Sequence, residues 1–157
     1  MIRGGGGNDT IFGDDWNYEQ GRDRIWGGNG NDFISGLSGA DFIDGQSGND
    51  RIFGGNDNDT LHGSSGEDII KGGKGRDSLY GGTGDDELYG QGGVDHLYGG
   101  ANNDYLDGGD DDLKDRLYGQ AGNDTFVRHE GFWWWQDDDP DAFVDIHLQG
   151  RDAIKKK

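Results

Sequence analysis

The chain has 157 residues, of which 29% are hydrophobic and 34 are glycine, so a conventional globular core is not expected. A net charge of −18 argues against nucleic acid and anionic membrane surfaces as partners and favours cations. The absence of cysteine excludes a disulfide framework, and no apolar run approaches the roughly 20 residues of a membrane span.

From Gly4 to Val127 the chain consists of 13 self-similar units, which we number 1 to 13. Nine of them, over residues 27–107, follow one another as uninterrupted nonapeptides, while units 2 (13–26) and 12 (108–118) carry insertions. The first position of every unit is glycine, and the sixth is always aspartate. A fixed period of this kind indicates a repeat architecture. Because residues 1–3 lead straight into a repeat, we expect the chain to be the downstream piece of a longer protein.

Each unit is expected to form a six-residue glycine-rich turn followed by a three-residue strand. Side chains alternate in a strand, so the eighth position points inward while the seventh and ninth point outward. Two units close one coil, and stacking places each unit beside the second unit along the chain. The predicted core is the file of large apolar eighth residues: Ile11, Ile25, Ile34, Ile43, Ile52, Leu61, Ile70, Leu79, Leu88, Leu97, Leu106, Leu117 and Phe126.

Stacking also places the sixth-position aspartates in two files, with Asp50 beside Asp32 and Asp68 in one of them. Carboxylates at this spacing repel, so a cation is expected between successive coils. Carboxylate and turn carbonyl oxygens favour Ca²⁺ over zinc, which prefers His or Cys, and over magnesium, which needs a small octahedron. The pairing allows up to about 11 ions. The candidate ligands are Asp9, Asp23, Asp32, Asp41, Asp50, Asp59, Asp68, Asp77, Asp86, Asp95, Asp104, Asp115 and Asp124, with backbone carbonyls of the preceding glycine-rich turns.

The units, such as GGNGNDFIS (27–35) and GGTGDDELY (81–89), resemble the GGxGxDxUx nonapeptide of the RTX, or haemolysin-type calcium-binding, family. The resemblance covers residues 4–127. It implies an all-β fold, a right-handed parallel β-roll, with calcium bound by the sixth-position aspartates and turn carbonyls. It also implies type I secretion, with folding on arrival in calcium-rich surroundings outside the cell.

The ninth positions of the even-numbered units are predicted to line one sheet face: Trp26, Asp44, His62, Tyr80, Tyr98 and Tyr118. Tyr80, Tyr98 and Tyr118 form a file there, which could stack against the sugar rings of a polysaccharide, as repeat modules of alginate epimerases in the family help to hold polysaccharide. The alternative is ordinary cross-strand packing. The histidines at 62, 96, 129 and 147 are scattered and are expected at the surface, without metal-ligand spacing.

Three segments depart from the repeat. The insertions at residues 14–20 and 110–114 are predicted to be surface loops, with a binding loop using Trp16 and Tyr18 as the alternative for the first. Residues 128–157 are predicted to cap the last coil, since a solenoid must shield its apolar end. Trp133 to Trp135 are assigned to that cap, with an exposed contact to a glycan or a membrane as the alternative. Asp141 to Ile154 resembles the closing segment that often follows these repeats, and the family's secretion signal lies at this end.

No catalytic motif is visible, because the chain has no HExxH, no GxSxG and no cysteine. The sequence therefore predicts a non-enzymatic calcium-binding module that folds outside the cell for itself or for a larger secreted protein, either as a monomer or as a module of a longer chain. The rival interpretation is a module that binds polysaccharide or another surface through its aromatic face. A third interpretation is the tail of a protease, lipase, epimerase or haemolysin.

Overall fold

The computed structural model describes residues 1–14, 21–111, 113–128 and 147–148. All regular structure in these residues is β-strand, and the strands build a solenoid of about six turns from two parallel sheets. This confirms the parallel β-roll that the repeats predict. Among the described residues, no helix has the length and apolar character needed to cross a membrane.

Sheet A contains seven strands, each beside the next in the order given. They are β1 (Ile2–Gly6), β3 (Arg24–Asn29), β5 (Phe42–Ser47), β7 (Thr60–Ser65), β9 (Ser78–Thr83), β11 (His96–Ala101) and β13 (Arg116–Ala121). Sheet B contains eight. They are β2 (Thr10–Phe12), β4 (Phe33–Ser38), β6 (Arg51–Asn56), β8 (Ile69–Lys74), β10 (Glu87–Gly92), β12 (Tyr105–Asp107), β14 (Thr125–Arg128) and β15 (His147–Leu148).

The register follows the repeat. Strands β5 and β7 pair Ile43 with Leu61, and strands β6 and β8 pair Ile52 with Ile70, always in parallel. Each unit therefore lies beside the second unit along the chain, as the period predicts.

Most strands are twice as long as predicted. Strand β9, for example, runs through the last three positions of unit 8 and the first three of unit 9, and its pairing with β11 continues past the first-position glycine to Gly82 and Thr83. The prediction of three-residue strands was wrong because glycine was taken to end the ladder. The turns shrink accordingly to the fourth, fifth and sixth positions.

The core is the predicted file of eighth-position side chains. From Ile25 to Leu106 every one of them is fully buried, and Ile11 and Leu117 are nearly so. Phe126, in the last unit, is only partly buried and packs against the end of this file. A single row of aliphatic side chains therefore supplies the apolar interior.

Strand β15 adds to the end of sheet B by pairing with β14, with Val127 opposite His147. Apart from Arg128, His147 and Leu148, the predicted cap at 128–157 lies outside the described residues. The predictions for Trp16 and Tyr18, for Trp133 to Trp135 and for the closing segment also concern residues outside them.

Candidate metal centre along the solenoid edges

Each coil contains two short turns, and stacking aligns them into two edges. Edge one consists of the turns of the odd-numbered units and carries Asp9, Asp32, Asp50, Asp68, Asp86, Asp104 and Asp124. Edge two consists of the turns of the even-numbered units and carries Asp23, Asp41, Asp59, Asp77, Asp95 and Asp115. The structure therefore brings the predicted residues together as two ladders.

Hydrogen bonds connect the aspartates of each ladder. The backbone N–H of Asp50 donates to Oδ1 of Asp68 at 2.7 Å, and the N–H of Asp68 donates to Oδ1 of Asp86 at 2.8 Å. The same bond recurs at every step from Asp9 to Asp124 on edge one and from Asp23 to Asp115 on edge two. The sequence predicted the neighbours but not this bond, which uses one oxygen of each carboxylate to fix the register.

The second carboxylate oxygen is buried without a hydrogen-bond partner. From Asp32 onward the ladder aspartates are at most 3% exposed. A buried polar atom without a partner is costly, and a charged one is more so. The Oδ2 atoms in this state belong to Asp9, Asp32, Asp41, Asp50, Asp59, Asp68, Asp77, Asp86, Asp95, Asp104 and Asp115.

The first-position glycine leaves the space that this oxygen faces. A Cβ on Gly63 would collide with Oδ2 of Asp68 and would lie 2.8 Å from the carbonyl oxygen of Gly81, one coil further on. Gly63 has no positive φ, so space rather than backbone conformation requires glycine here. Carboxylate and carbonyl oxygens of successive coils thus surround the same gap, which recurs along both edges.

Burial raises the pKa of nine ladder carboxyl groups: those of Asp41, Asp50, Asp59, Asp68, Asp77, Asp86, Asp95, Asp104 and Asp115. Desolvation is the largest cause, neighbouring carboxylates add to it in most cases, and the hydrogen bond from the preceding aspartate opposes it. The pKa of Asp59 rises to about 8 and that of Asp50 and Asp68 to about 7. A nearby cation would offset the cost of burying these carboxylates in their charged form.

The donor set fits Ca²⁺. The gap offers carboxylate and carbonyl oxygens only, and a flexible set of hard oxygens is what calcium prefers. Within the described part of the chain, no three His, Cys, Asp or Glu side chains converge on one point. A cation between coils would therefore depend on backbone carbonyls as well as on aspartates.

Stacked coils with a file of unpartnered carboxylate oxygens on each edge define a repeat protein built to hold hard cations. The family model for the RTX calcium-binding nonapeptide repeat matches residues 1–15, 19–52, 44–79, 62–97, 80–112 and 114–131. The chain belongs to this family of calcium-binding modules. A comparison with curated proteins returned no match.

The predicted tyrosine file is present on the outer face of sheet A, and it is longer than predicted. The rings of Tyr80, Tyr98 and Tyr118 stack in parallel, with centroids 4.8–4.9 Å apart and planes within 4°. His62 extends the stack, 4.5 Å from Tyr80. The sequence interpretation placed His62 on this face by its ninth position but counted it among scattered surface histidines, so it missed the stacking of the His62 ring.

Aromatic contacts also run along sheet B, and sequence reasoning missed them. The Lys71 ammonium lies 5.9 Å from the Phe53 ring centroid and 5.3 Å from that of Tyr89, so it joins two aromatic neighbours. Such cation–π and ring contacts link successive coils on the outer faces. The two faces therefore supply cohesion that does not depend on metal.

We expect Tyr98→Ala to lower the free energy of unfolding of the calcium-loaded chain by about 2–3 kcal/mol, because it removes a ring contact on each side. Tyr118→Ala is the matched control, since its ring stacks on one partner in the described residues, and we expect about half the loss. Denaturant unfolding at saturating calcium measures both. Equal losses of unfolding free energy in the two variants would contradict a stabilising role for ring stacking.

The raised pKa values predict that the calcium-free solenoid is more stable in mild acid. Burial raises the pKa of nine ladder aspartates, from 3.8 to between about 6 for Asp41 and about 8 for Asp59. The folded state therefore binds more protons than the unfolded chain, and its stability falls as pH rises from about 4 to about 8. We expect a larger folded fraction in chelator at pH 5 than at pH 8, measured by circular dichroism. A folded fraction that grows with pH would contradict this assignment.

Proposed function

We propose that this chain is a calcium-responsive module in which ions bound along both edges complete the fold. The observation that carries the proposal is the row of buried, unpartnered Oδ2 atoms facing glycine carbonyls of the next coil. All 13 sixth-position aspartates act as ligands, at up to about 11 sites. When bound, calcium supplies positive charge that offsets the burial and mutual repulsion of the carboxylates.

Three groups of residues have structural roles beside the bound ions. After Asp9 and Asp23, which begin the two ladders, Oδ1 of each ladder aspartate accepts the N–H of the aspartate one coil earlier and fixes the register. The first-position glycines keep the gap open, and the single aliphatic file excludes water from the interior. Without a cation, the charged carboxylates oppose a small core, so we expect an expanded chain at neutral pH.

The folding test is circular dichroism during a calcium titration, with magnesium as the control ion. We expect the β signal to be small in chelator at pH 7.5, to grow with calcium and to stay small with equal magnesium. A β signal already complete in chelator, or one induced equally by magnesium, overturns the proposal.

We further propose that folding takes place outside the cell, after type I secretion, and that it stabilises this chain or a larger exported protein. The support is membership of a family whose proteins are typically secreted. Residues 128–157 are proposed to form a separate segment that caps the last coil and contains the export signal. Co-expression with a one-step export channel tests this: the full chain is expected in the medium, and a chain lacking 128–157 is expected to remain inside. Retention of the full chain would contradict it.

RTX repeats are calcium-binding structural modules, and the absence of catalysis in this chain stays a prediction. Polysaccharide binding also stays a prediction. The stacking leaves the edges and hydroxyl groups of Tyr80 and Tyr98 for a ligand, because both faces of each ring contact other rings. A glycan array with the parent, Tyr80→Ala and Tyr98→Ala tests this alternative, which requires a signal in the parent that both variants lose.

A further inference from the structure

The two edges differ at the fifth position of the unit, next to each ladder aspartate. On edge one this residue always carries a side-chain oxygen and is never basic: Asn8, Asn31, Asn49, Glu67, Asp85, Asn103 and Asn123. On edge two the same position holds Arg22, Ala40, Asn58, Arg76, Val94 and Lys114. The ladders therefore share their ligand residues but not their surroundings.

Fifth-position side chains give edge one a second hydrogen-bond ladder. Oδ1 of Asn8 accepts the N–H of Asn31 at 2.9 Å, and Oδ1 of Asn31 accepts the N–H of Asn49 at 2.9 Å. Equivalent bonds join Asn49 to the N–H of Glu67, Asp85 to that of Asn103 and Asn103 to that of Asn123. On edge two, Asn58 is the one fifth-position residue with a side-chain oxygen, and its Oδ1 accepts the N–H of Arg76 at 2.7 Å. Successive turns are thus more firmly held on edge one.

Charged side chains beside the aspartates also distinguish the two edges, and they favour a cation on edge one. Exposed Glu67 and Asp85 add negative charge beside the edge-one ladder, and exposed Arg22, Arg76 and Lys114 add positive charge beside the edge-two ladder. At the seventh position edge one has Arg51 and Glu87, and edge two has Arg24 and Arg116. The turns of edge two also contain Lys74 and four described acidic residues, Asp14, Asp57, Asp110 and Asp111. The carboxylates of Asp14 and Asp111 are engaged, because they accept N–H groups of Ser38 and Gly93.

We propose that the calcium sites of the two edges are inequivalent: edge one binds calcium first and more tightly, and edge two fills at higher calcium. The inference rests on the proposed function, since it concerns the same ligands. The hydrogen-bonded ladder has six steps on edge one and five on edge two. Binding therefore divides into about six tight and about five weaker sites.

The first experiment is isothermal titration of the whole chain with calcium, comparing the parent with Arg22→Asn, Arg76→Asn and Lys114→Asn combined. We expect two classes of site in the parent and a tighter weak class in the variant, by roughly twofold to fivefold, since each replaced cation lies next to a ladder carboxylate. The control is Lys155→Asn, Lys156→Asn and Lys157→Asn, which changes the net charge equally at the carboxyl terminus and is expected to have a smaller effect.

The reciprocal variant combines Glu67→Gln and Asp85→Asn, which removes two charges from edge one while the new amide oxygen at position 85 can still accept the N–H of Asn103. We expect it to weaken the tight class roughly twofold to fivefold and to leave the weak class unchanged. A single class of sites, shifted no more by the edge variants than by the terminal control, overturns the inequivalence but leaves the proposed function intact. A parent that binds no calcium overturns both.

Discussion

Gly63→Ala is expected to lower the free energy of unfolding of the calcium-loaded chain by at least about 3 kcal/mol. The new Cβ would collide with Oδ2 of Asp68 and approach the Gly81 carbonyl oxygen to 2.8 Å. Overpacking of this kind costs about 1–3 kcal/mol, and obstruction of a cation site adds to it. Denaturant unfolding in calcium, and in chelator at pH 5 where a folded fraction is expected, measures the loss, which we expect to be larger with calcium.

The matched control is Gly92→Ala in the interior strand β10. A Cβ there meets its nearest neighbour, the Gly73 carbonyl oxygen, at an ordinary 3.5 Å, and the residue has no positive φ. We therefore expect a change of less than about 1 kcal/mol. Comparable losses in the two variants would show that any added methyl group disturbs the strands, and the assigned gap beside Asp68 would lose its support.

Asp59→Asn is expected to change stability in opposite directions with and without calcium. Asp59 lies between Asp41 and Asp77 on edge two, so it is a candidate ligand of two calcium sites. If each site contributes about 1.4–2.7 kcal/mol, neutralising Asp59 should lower the free energy of unfolding at saturating calcium by about 3–5 kcal/mol. In chelator above pH 7 the variant should be more stable than the parent, because burial raises the pKa of Asp59 to about 8 and asparagine carries no charge. Asparagine can still accept the N–H of Asp41, so the register bond remains.

Asp57→Asn serves as the control in the same turn, because it removes the same charge from an exposed side chain two residues away. We expect it to change the calcium-loaded stability by less than about 1 kcal/mol. Denaturant unfolding of both variants in calcium, and their folded fraction by circular dichroism in chelator above pH 7, give the comparison. A loss for Asp59→Asn that is the same in both conditions would assign the residue a purely structural role.

The period of the sequence was enough to predict the architecture. A nine-residue unit with an apolar eighth position fixes which residues face inward, and two units per coil fix that Ile52 pairs with Ile70 and that Asp50 lies beside Asp68. These features depend on spacing alone, so the order of the residues is sufficient to derive them. Phe126 is less buried than its equivalents because it belongs to the last repeat unit.

Features that depend on side-chain orientation could not be derived from spacing. The sequence does not reveal that Oδ1 of Asp68 is used by a backbone N–H while Oδ2 stays unpartnered, since either oxygen could face the gap. Spacing placed His62 on the same face as the tyrosines, but the stacking of its ring on Tyr80 depends on the rotamers of both side chains. The strand length was missed because the ladder tolerates glycine at its centre.

The most direct test of calcium-mediated folding is a crystal structure of the calcium-loaded chain with anomalous scattering used to locate the ions. We expect two rows of calcium, one on each edge, each ion in contact with Oδ2 atoms of ladder aspartates and carbonyl oxygens of the glycine-rich turns. Ions located only elsewhere, or a solenoid that assembles unchanged in chelator at pH 7.5 with both edges free of metal, would contradict the account.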